Sequence, residues 1–245
     1  MIRIRSIDCE TTGMPEAEGG AEIVEIGWCD IAVKLDDPVP GAVRAWIEPG
    51  RWGSQLCNPG RPIPPEAMAV HHIRDAEVAA MPTAADVLAN VMGGGANYFA
   101  AHNADFERKF ITNDVKWICT FKVALRLWPD ASHHSNQFLR YFLPLQIDDE
   151  TLAMPPHRAG PDAYVTAHLL VMELESGKVS IDDMVRWSNG PALLPRVNFG
   201  KHKGAKWDDV PLDYLSWIVD KSDMDRDIKA NAKHWLKVRT QKAAQ

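Results

Sequence analysis

Five short runs of β-branched and apolar residues alternate with helix-like stretches over residues 2–175. That alternation restricts the chain to an α/β arrangement, with helices packed on a central sheet. The runs are residues 2–7, 22–33 (EIVEIGWCDIAV), 43–48 (VRAWIE), 97–101 (NYFAA) and 115–119 (VKWIC). Period-two patterning marks the first: Ile2, Ile4 and Ser6 fall on one face, and Arg3, Arg5 and Ile7 on the other. Helices are expected over 65–71, 83–92, 103–112, 120–127, 135–142 and 161–175. Thr83 is a natural N-cap with Gly93, Gly94 and Gly95 as the stop, and Pro161 suits the first turn of the last helix. Residues 49–65, rich in Pro and Gly, and the Pro-containing stretch 143–160 are expected to be loops.

Among 245 residues, 46% are apolar and 24% charged, so the chain can bury a core and does not read as disordered or fibrous. No apolar run approaches the ~20 residues of a membrane span. The start, Met1-Ile2-Arg3-Ile4-Arg5, lacks the apolar stretch and cleavage site of a secretion signal. Cys9, Cys29, Cys57 and Cys119 are spread out with no CxxC pair, so neither a zinc site nor a disulfide framework is indicated, and a cytoplasmic location is expected.

Charge is unevenly distributed. Residues 1–195 hold 16 Lys and Arg against 26 Asp and Glu, whereas residues 196–245 hold 11 against 7. The change of sign suggests two parts, an α/β unit over 1–178 and a small C-terminal unit over 179–245. The acidic part is unlike a passive nucleic-acid coat. An acidic enzyme still acts on nucleic acid if metal ions stand between its carboxylates and the phosphates.

Asp8 and Glu10 follow the first strand two positions apart. If the strand continues, they share a face, where two acids repel each other and are costly to desolvate. Spacing alone also allows a strand that ends at Ile7, with both acids in a solvated loop. A functional reading needs further carboxylates at the same place. The segment His102-Asn103-Ala104-Asp105-Phe106-Glu107 offers two, at the strand-to-helix junction where α/β proteins bind ligands. On a helix Asp105 and Glu107 lie roughly 200° apart, so only one can face inward. Asp105 is followed at i+3 and i+4 by Arg108 and Lys109, Glu107 by Phe110 and Ile111; periodicity therefore turns Glu107 toward the core. Asp162 shares a face with Val165, Thr166 and Leu169 and sits in a helix's first turn, which favours an anion. Converging carboxylates need compensating charge, and carboxylate-only ligation selects hard ions such as Mg²⁺ or Mn²⁺. Two such ions support phosphodiester hydrolysis, and a nearby histidine can take the proton of the attacking water.

These residues resemble the signature of the DEDDh, or DnaQ-like, 3′→5′ exonucleases. Asp8-Cys9-Glu10-Thr11-Thr12-Gly13 matches the first motif, His102 to Glu107 the second, and His157 with Asp162 the third, in order and about 95 and 55 residues apart. The branch of the superfamily that carries a tyrosine has it at the position of Arg158. Glu107 stands where the family usually has Asp; its extra methylene implies a shifted metal or an altered Mg²⁺/Mn²⁺ preference, with Asp105 as the fallback ligand. The segments 67–73, 117–122, 127–129, 199–204 and 213–217 extend the resemblance over most of the chain.

The resemblance implies an RNase H-like fold: a mixed five-stranded sheet with an antiparallel second strand, flanked by helices. It implies two divalent ions, Mg²⁺ or Mn²⁺, held by Asp8, Glu10, Glu107 and Asp162, with His157 as general base. The expected partner is nucleic acid with a 3′ end, DNA first, as a single strand or frayed duplex end, and no membrane. An exoribonuclease and an inactive 3′-end-binding module are the alternatives. Thr11, Thr12 and Gly13 are expected near the terminal 3′-hydroxyl, Met14 or Phe106 against the last base, and Asn103 and His71 along the site. His72, His133 and His134 read as surface residues.

Residues 196–206 (RVNFGKHKGAK) read as a hairpin or tight turn presenting Lys201, Lys203 and Lys206 to phosphates, without the spacing of a phosphate loop. Trp217 and Trp235 are expected in the core of a small helical unit.

Overall fold

The computed structural model describes residues 1–16, 19–35, 43–221 and 223–243. Five strands, β1 (Ile2–Thr11), β2 (Ile23–Leu35), β3 (Val43–Leu56), β4 (Tyr98–Ala101) and β5 (Lys116–Cys119), form one sheet in the order β3-β2-β1-β4-β5. The second strand runs antiparallel to both neighbours, while β4 and β5 run parallel to β1. This is the mixed five-stranded sheet of the RNase H-like fold.

Two strands outrun the sequence expectation. β1 continues through Asp8 and Glu10 because its backbone stays paired to β2, with Asp8 opposite Gly27 and Glu10 opposite Glu25. β3 runs on to Leu56 through a segment expected to be loop. Pro49 and Gly50 do interrupt the pairing, but as a bulge: Ile47 pairs with Ile31, Trp52 with Cys29, and the residues between bow out opposite Asp30. Gly50 supplies the left-handed turn at φ 70°. Backbone pairing then resumes, which no local composition rule reports.

Helices α1 (Pro65–His71), α2 (Asp75–Val78), α3 (Ala84–Met92), α4 (Ala104–Phe110), α5 (Thr120–Leu127), α6 (Asn136–Phe142) and α7 (Ala159–Glu175) follow. Thr83 caps α3, accepting from the Asp86 amide. α2 is one turn, too short for a periodic signal. α7 starts two residues ahead of Pro161, so the proline lies within its first turn.

The sheet is covered on both faces. Ile4, Ile31 and Val33 pack against Val165, Leu170 and Leu174 of α7, and on the other face Ile7, Ile26 and Phe99 pack with Val87 and Val91 of α3. The four cysteines are buried. Helix α8 (Ile181–Asn189) adds Ile181, Met184 and Val185 to the α7 side. A separate cluster of Val197, Trp207, Val210, Leu215, Ile218 and Ala232 is built by the basic turn and helices α9 (Leu212–Lys221) and α10 (Arg226–Ala243). The turn is tight: Arg196 bridges Lys206, and Gly200–His202 form a single 3₁₀ turn.

Two side chains depart from expectation. His134 is buried, held against the Trp128 carbonyl at 2.9 Å, because the chain folds back after α5. Trp217 is 42% exposed, whereas Trp235 packs on the C-terminal cluster. Helix α9 turns Leu215 and Ile218 inward and leaves Trp217 facing out. No helix among the described residues is long and apolar enough to cross a membrane.

Candidate active site

Strand periodicity puts Ile4, Ser6, Asp8 and Glu10 on the face that α7 covers. Residues directly opposite in an antiparallel pair share that face, so Gly27 lies beside Asp8 and Glu25 beside Glu10. A Cβ on Gly27 would sit 2.0 Å from the Ala159 carbonyl oxygen. Glycine is thus what lets the start of α7 settle onto the sheet next to Asp8. Glu25 secures the same helix end: its carboxylate accepts from Arg158 Nε at 2.8 Å, Arg158 Nη2 at 2.9 Å and the Ala159 amide at 3.1 Å. Asp162, in the first turn of α7, is carried to the two strand acids as a result.

Carboxylate oxygens of Asp8, Glu10 and Asp162 all lie within 4.8 Å of one another. Asp162 is oriented from two sides, Oδ1 accepting from Gln137 Nε2 at 2.6 Å and Oδ2 from the His157 amide at 2.8 Å. His157 itself is exposed and adopts a left-handed backbone, φ 61°, uncommon for a residue with a side chain. A cleft of about 400 Å³ opens over these groups, and Glu107, Asn103 and Phe106 of the β4–α4 junction form its other wall.

Glu107 and Asp105 go separate ways. Asp105 pairs with Lys122 at 2.6 Å and Arg108 at 3.7 Å, on the outside. Glu107 is 4% exposed, and its Oε2 is buried without a hydrogen-bond partner. Burial raises the affinity of all these acids for protons. Asp8 is pushed well above its ordinary value by desolvation, then by the charges of Asp162, Glu107 and Glu10. Glu10 rises to about 7 through desolvation and then Asp162 and Glu25. Glu107 rises chiefly by desolvation. Desolvation also raises Asp162, against which the Gln137 and His157 hydrogen bonds pull down. Oxygen donors alone, mutually repelling and one unpartnered, fit a hard divalent cation.

A family model described as Exonuclease, of the RNase T type, matches residues 6–170. The chain belongs to the DEDDh exonucleases. Exodeoxyribonuclease 10 of Escherichia coli strain K12 is 33% identical over 238 residues, covering 95% of this chain and 98% of that protein. A structure of exonuclease X in complex with 5′ overhanging duplex DNA is 34% identical, covers 77% of this chain and all of its own, and superposes with a TM-score of 0.59. The nuclease domain of 3′hExo bound to rAMP, at 18% identity and TM-score 0.52, shares the fold.

In this exonuclease the first motif continues past the sheet. Thr11 Oγ1 donates to the Gly13 carbonyl at 2.7 Å, and Thr12 Oγ1 accepts from the Glu22 amide at 2.9 Å, fixing a turn from which Met14 protrudes, 60% exposed. His71 is buried, its Nδ1 accepting from the Ile73 amide at 3.0 Å, and burial lowers its pKa. Lys201, Lys203 and Lys206 are exposed on the C-terminal turn, apart from the cleft. Sequence reasoning passed over Gln137, Glu25 and Arg158. A charged Glu25 inside an apolar strand run was a readable signal; nothing marks Gln137 until α6 is docked on α7.

Proposed function

We propose that this exonuclease shortens DNA from its 3′ end, hydrolysing phosphodiester bonds and releasing nucleoside 5′-monophosphates. The convergence of Asp8, Glu10 and Asp162 beside an exposed His157 carries the reading, together with the identity to exodeoxyribonuclease 10 along nearly the whole chain. Asp8, Glu10 and Asp162 would hold one divalent ion, and Glu107, on the opposite wall of the cleft, would help to hold a second. Two such ions, Mg²⁺ or Mn²⁺, when bound, favour deprotonation of water and the negative charge on the departing 3′-oxygen. His157 takes the proton of the attacking water. Gln137 and the His157 amide keep Asp162 aimed at the cleft. The backbone of Thr11, Thr12 and Gly13 meets the terminal 3′-hydroxyl, Asn103 contacts the last nucleotide, and Met14 or Phe106 stacks on its base. His71 supports the Thr11 turn from below.

We assign the C-terminal unit to strand binding, with Lys201, Lys203 and Lys206 on phosphates. Replacing all three with alanine is expected to lower the salt dependence of single-strand binding by roughly two in log–log slope. An unchanged slope would remove them from the interface.

The direct test is a gel of 5′-labelled single-stranded DNA and RNA of matching sequence, incubated with Mg²⁺, Mn²⁺ or EDTA. A DNA ladder shortening from the 3′ end and abolished by EDTA is expected. A faster RNA ladder would move the function to RNA turnover. No cleavage with either metal, despite binding, would turn the reading to a 3′-end-binding module.

A further inference from the structure

The C-terminal unit exposes an aromatic ledge outside the cleft. Tyr214 and Trp217, one turn apart on α9, stack with ring centres 5.4 Å apart and planes 24° apart. Lys201 Nζ sits 4.9 Å over the Tyr214 ring, and His202 meets its edge at 4.7 Å. The turn is built against that ring: Gly200, at φ 58°, has room for no more than a tight Cβ, 3.1 Å from Tyr214 Oη. One face of the pair is thus covered, and Trp217 stays 42% exposed although the cluster of Trp207, Leu215 and Ile218 lies on the same unit. What sets this indole apart is its stacking on Tyr214, which together with Lys201 makes an ordered aromatic surface.

Charge selects the partner. Arg196, Lys201, Lys203 and Lys206 are exposed on the adjoining turn. Asp213 and Asp220 are exposed on α9, and the cation set against the stacked pair, Lys201, comes from the turn. Stacked aromatics bordered by a line of cations match a strand that offers unpaired bases beside its phosphates. A duplex hides its base faces, so the fit is to an unpaired strand.

We propose that Trp217, backed by Tyr214 and Lys201, stacks on a base of single-stranded DNA whose phosphates lie on the 196–206 turn, a second grip apart from the cleft. The proposal rests on the exonuclease reading for its choice of DNA. Holding the strand at two points keeps its end at high effective concentration near the cleft between cleavages.

Binding by the full chain in EDTA, followed by fluorescence anisotropy, tests it with two probes: oligothymidylate and an abasic strand of equal length, which keeps the phosphates but lacks bases. Trp217→Ala should weaken oligothymidylate binding about tenfold and leave the abasic strand unaffected, with Trp217→Phe restoring most of the loss. Lys201→Ala should weaken both and reduce the salt slope by about 0.7. Unchanged oligothymidylate binding by Trp217→Ala would overturn the proposal. So would equal loss of both probes without rescue by phenylalanine, which makes Trp217 structural, or capture of a second copy of the chain in place of DNA. A small phosphodiester, thymidine 5′-(p-nitrophenyl phosphate), separates this from the cleft: Trp217→Ala should hydrolyse it at the unaltered rate with Mn²⁺. Failure of the unmodified protein to cleave either the ester or a strand would count against the exonuclease reading while leaving the binding comparison standing.

Discussion

Glu107 and Asp105 lie two positions apart on α4, yet one is buried in the wall of the cleft and the other paired with Lys122 in solvent reach. The 200° between them decides this, and it makes the two separable by mutation. Glu107→Gln is expected to abolish most cleavage and to weaken Mn²⁺ binding measured by calorimetry. Glu107→Asp should retain activity with a different Mg²⁺/Mn²⁺ ratio. If Asp105→Asn produced the larger loss of metal affinity, the ligand assignment would pass to Asp105. His157 belongs to another category, since its side chain is exposed and only its amide touches Asp162. His157→Ala should cut turnover by about 10²–10⁴ while metal and DNA affinity stay nearly intact. Equal loss of all three would show that the residue shapes the site rather than moving a proton.

Among the elements, the meeting of β2 with the start of α7 is decisive. Two residues of one strand do opposite things there: Gly27 makes space for the Ala159 carbonyl, and Glu25 binds Arg158 and the Ala159 amide. Gly27→Ala must push the helix end away from Asp8. The expected result is a loss of about 1–3 kcal/mol in stability from overpacking, with a larger relative loss of metal affinity because Asp162 moves with its helix. Unfolding titration and metal titration on the same variant check this; a stability loss with metal affinity untouched would mean the helix start can shift without carrying Asp162. The bulge in β3 shows the same kind of contingency. Pro49 and Gly50 read as a loop by composition, and backbone pairing beyond them still holds Trp52 to Leu56 in the sheet.

For the whole molecule, the acids of the cleft set a pH dependence. Glu10 rises from 4.5 to about 7 in the folded protein, and Asp8 and Glu107 are raised too. The folded, metal-free protein therefore binds more protons than the unfolded chain, so this contribution to stability is present at low pH and is lost as pH rises through about 7. A divalent ion binds the deprotonated folded site and reverses the loss. Thermal melting should show the metal-free Tm several degrees lower near pH 8 than near pH 6, at about 2–4 °C per kcal/mol, with Mn²⁺ raising it more at the higher pH. A metal increment that does not vary with pH would mean the cleft acids are ionised without the ion. Charge also divides the molecule, since the acidic sheet unit holds the cleft and the basic turn lies in the C-terminal cluster. The side chains of Ile181, Met184 and Val185 on α8 belong to the sheet unit's core.

The succession of the five strands and of helices α1 and α3–α7, the inward turn of Glu107 and the three acidic motifs were legible in the sequence, because each depends on periodicity or spacing within a few residues of chain. The same holds for the capped α3 and for the tight basic turn after Arg196. What local pattern could not carry was which surfaces meet. That β1 continues through Asp8 and Glu10 follows from pairing with a strand that begins a dozen or so residues later along the chain. The seat of Asp162 depends on a glycine and a glutamate more than a hundred residues before it, and on Gln137 from a third element. The exposure of Trp217 follows from which side of α9 found the core. Chemistry is written in residue types, but the distances that bring Asp8, Glu10 and Asp162 to one place arise only when remote segments exclude water together.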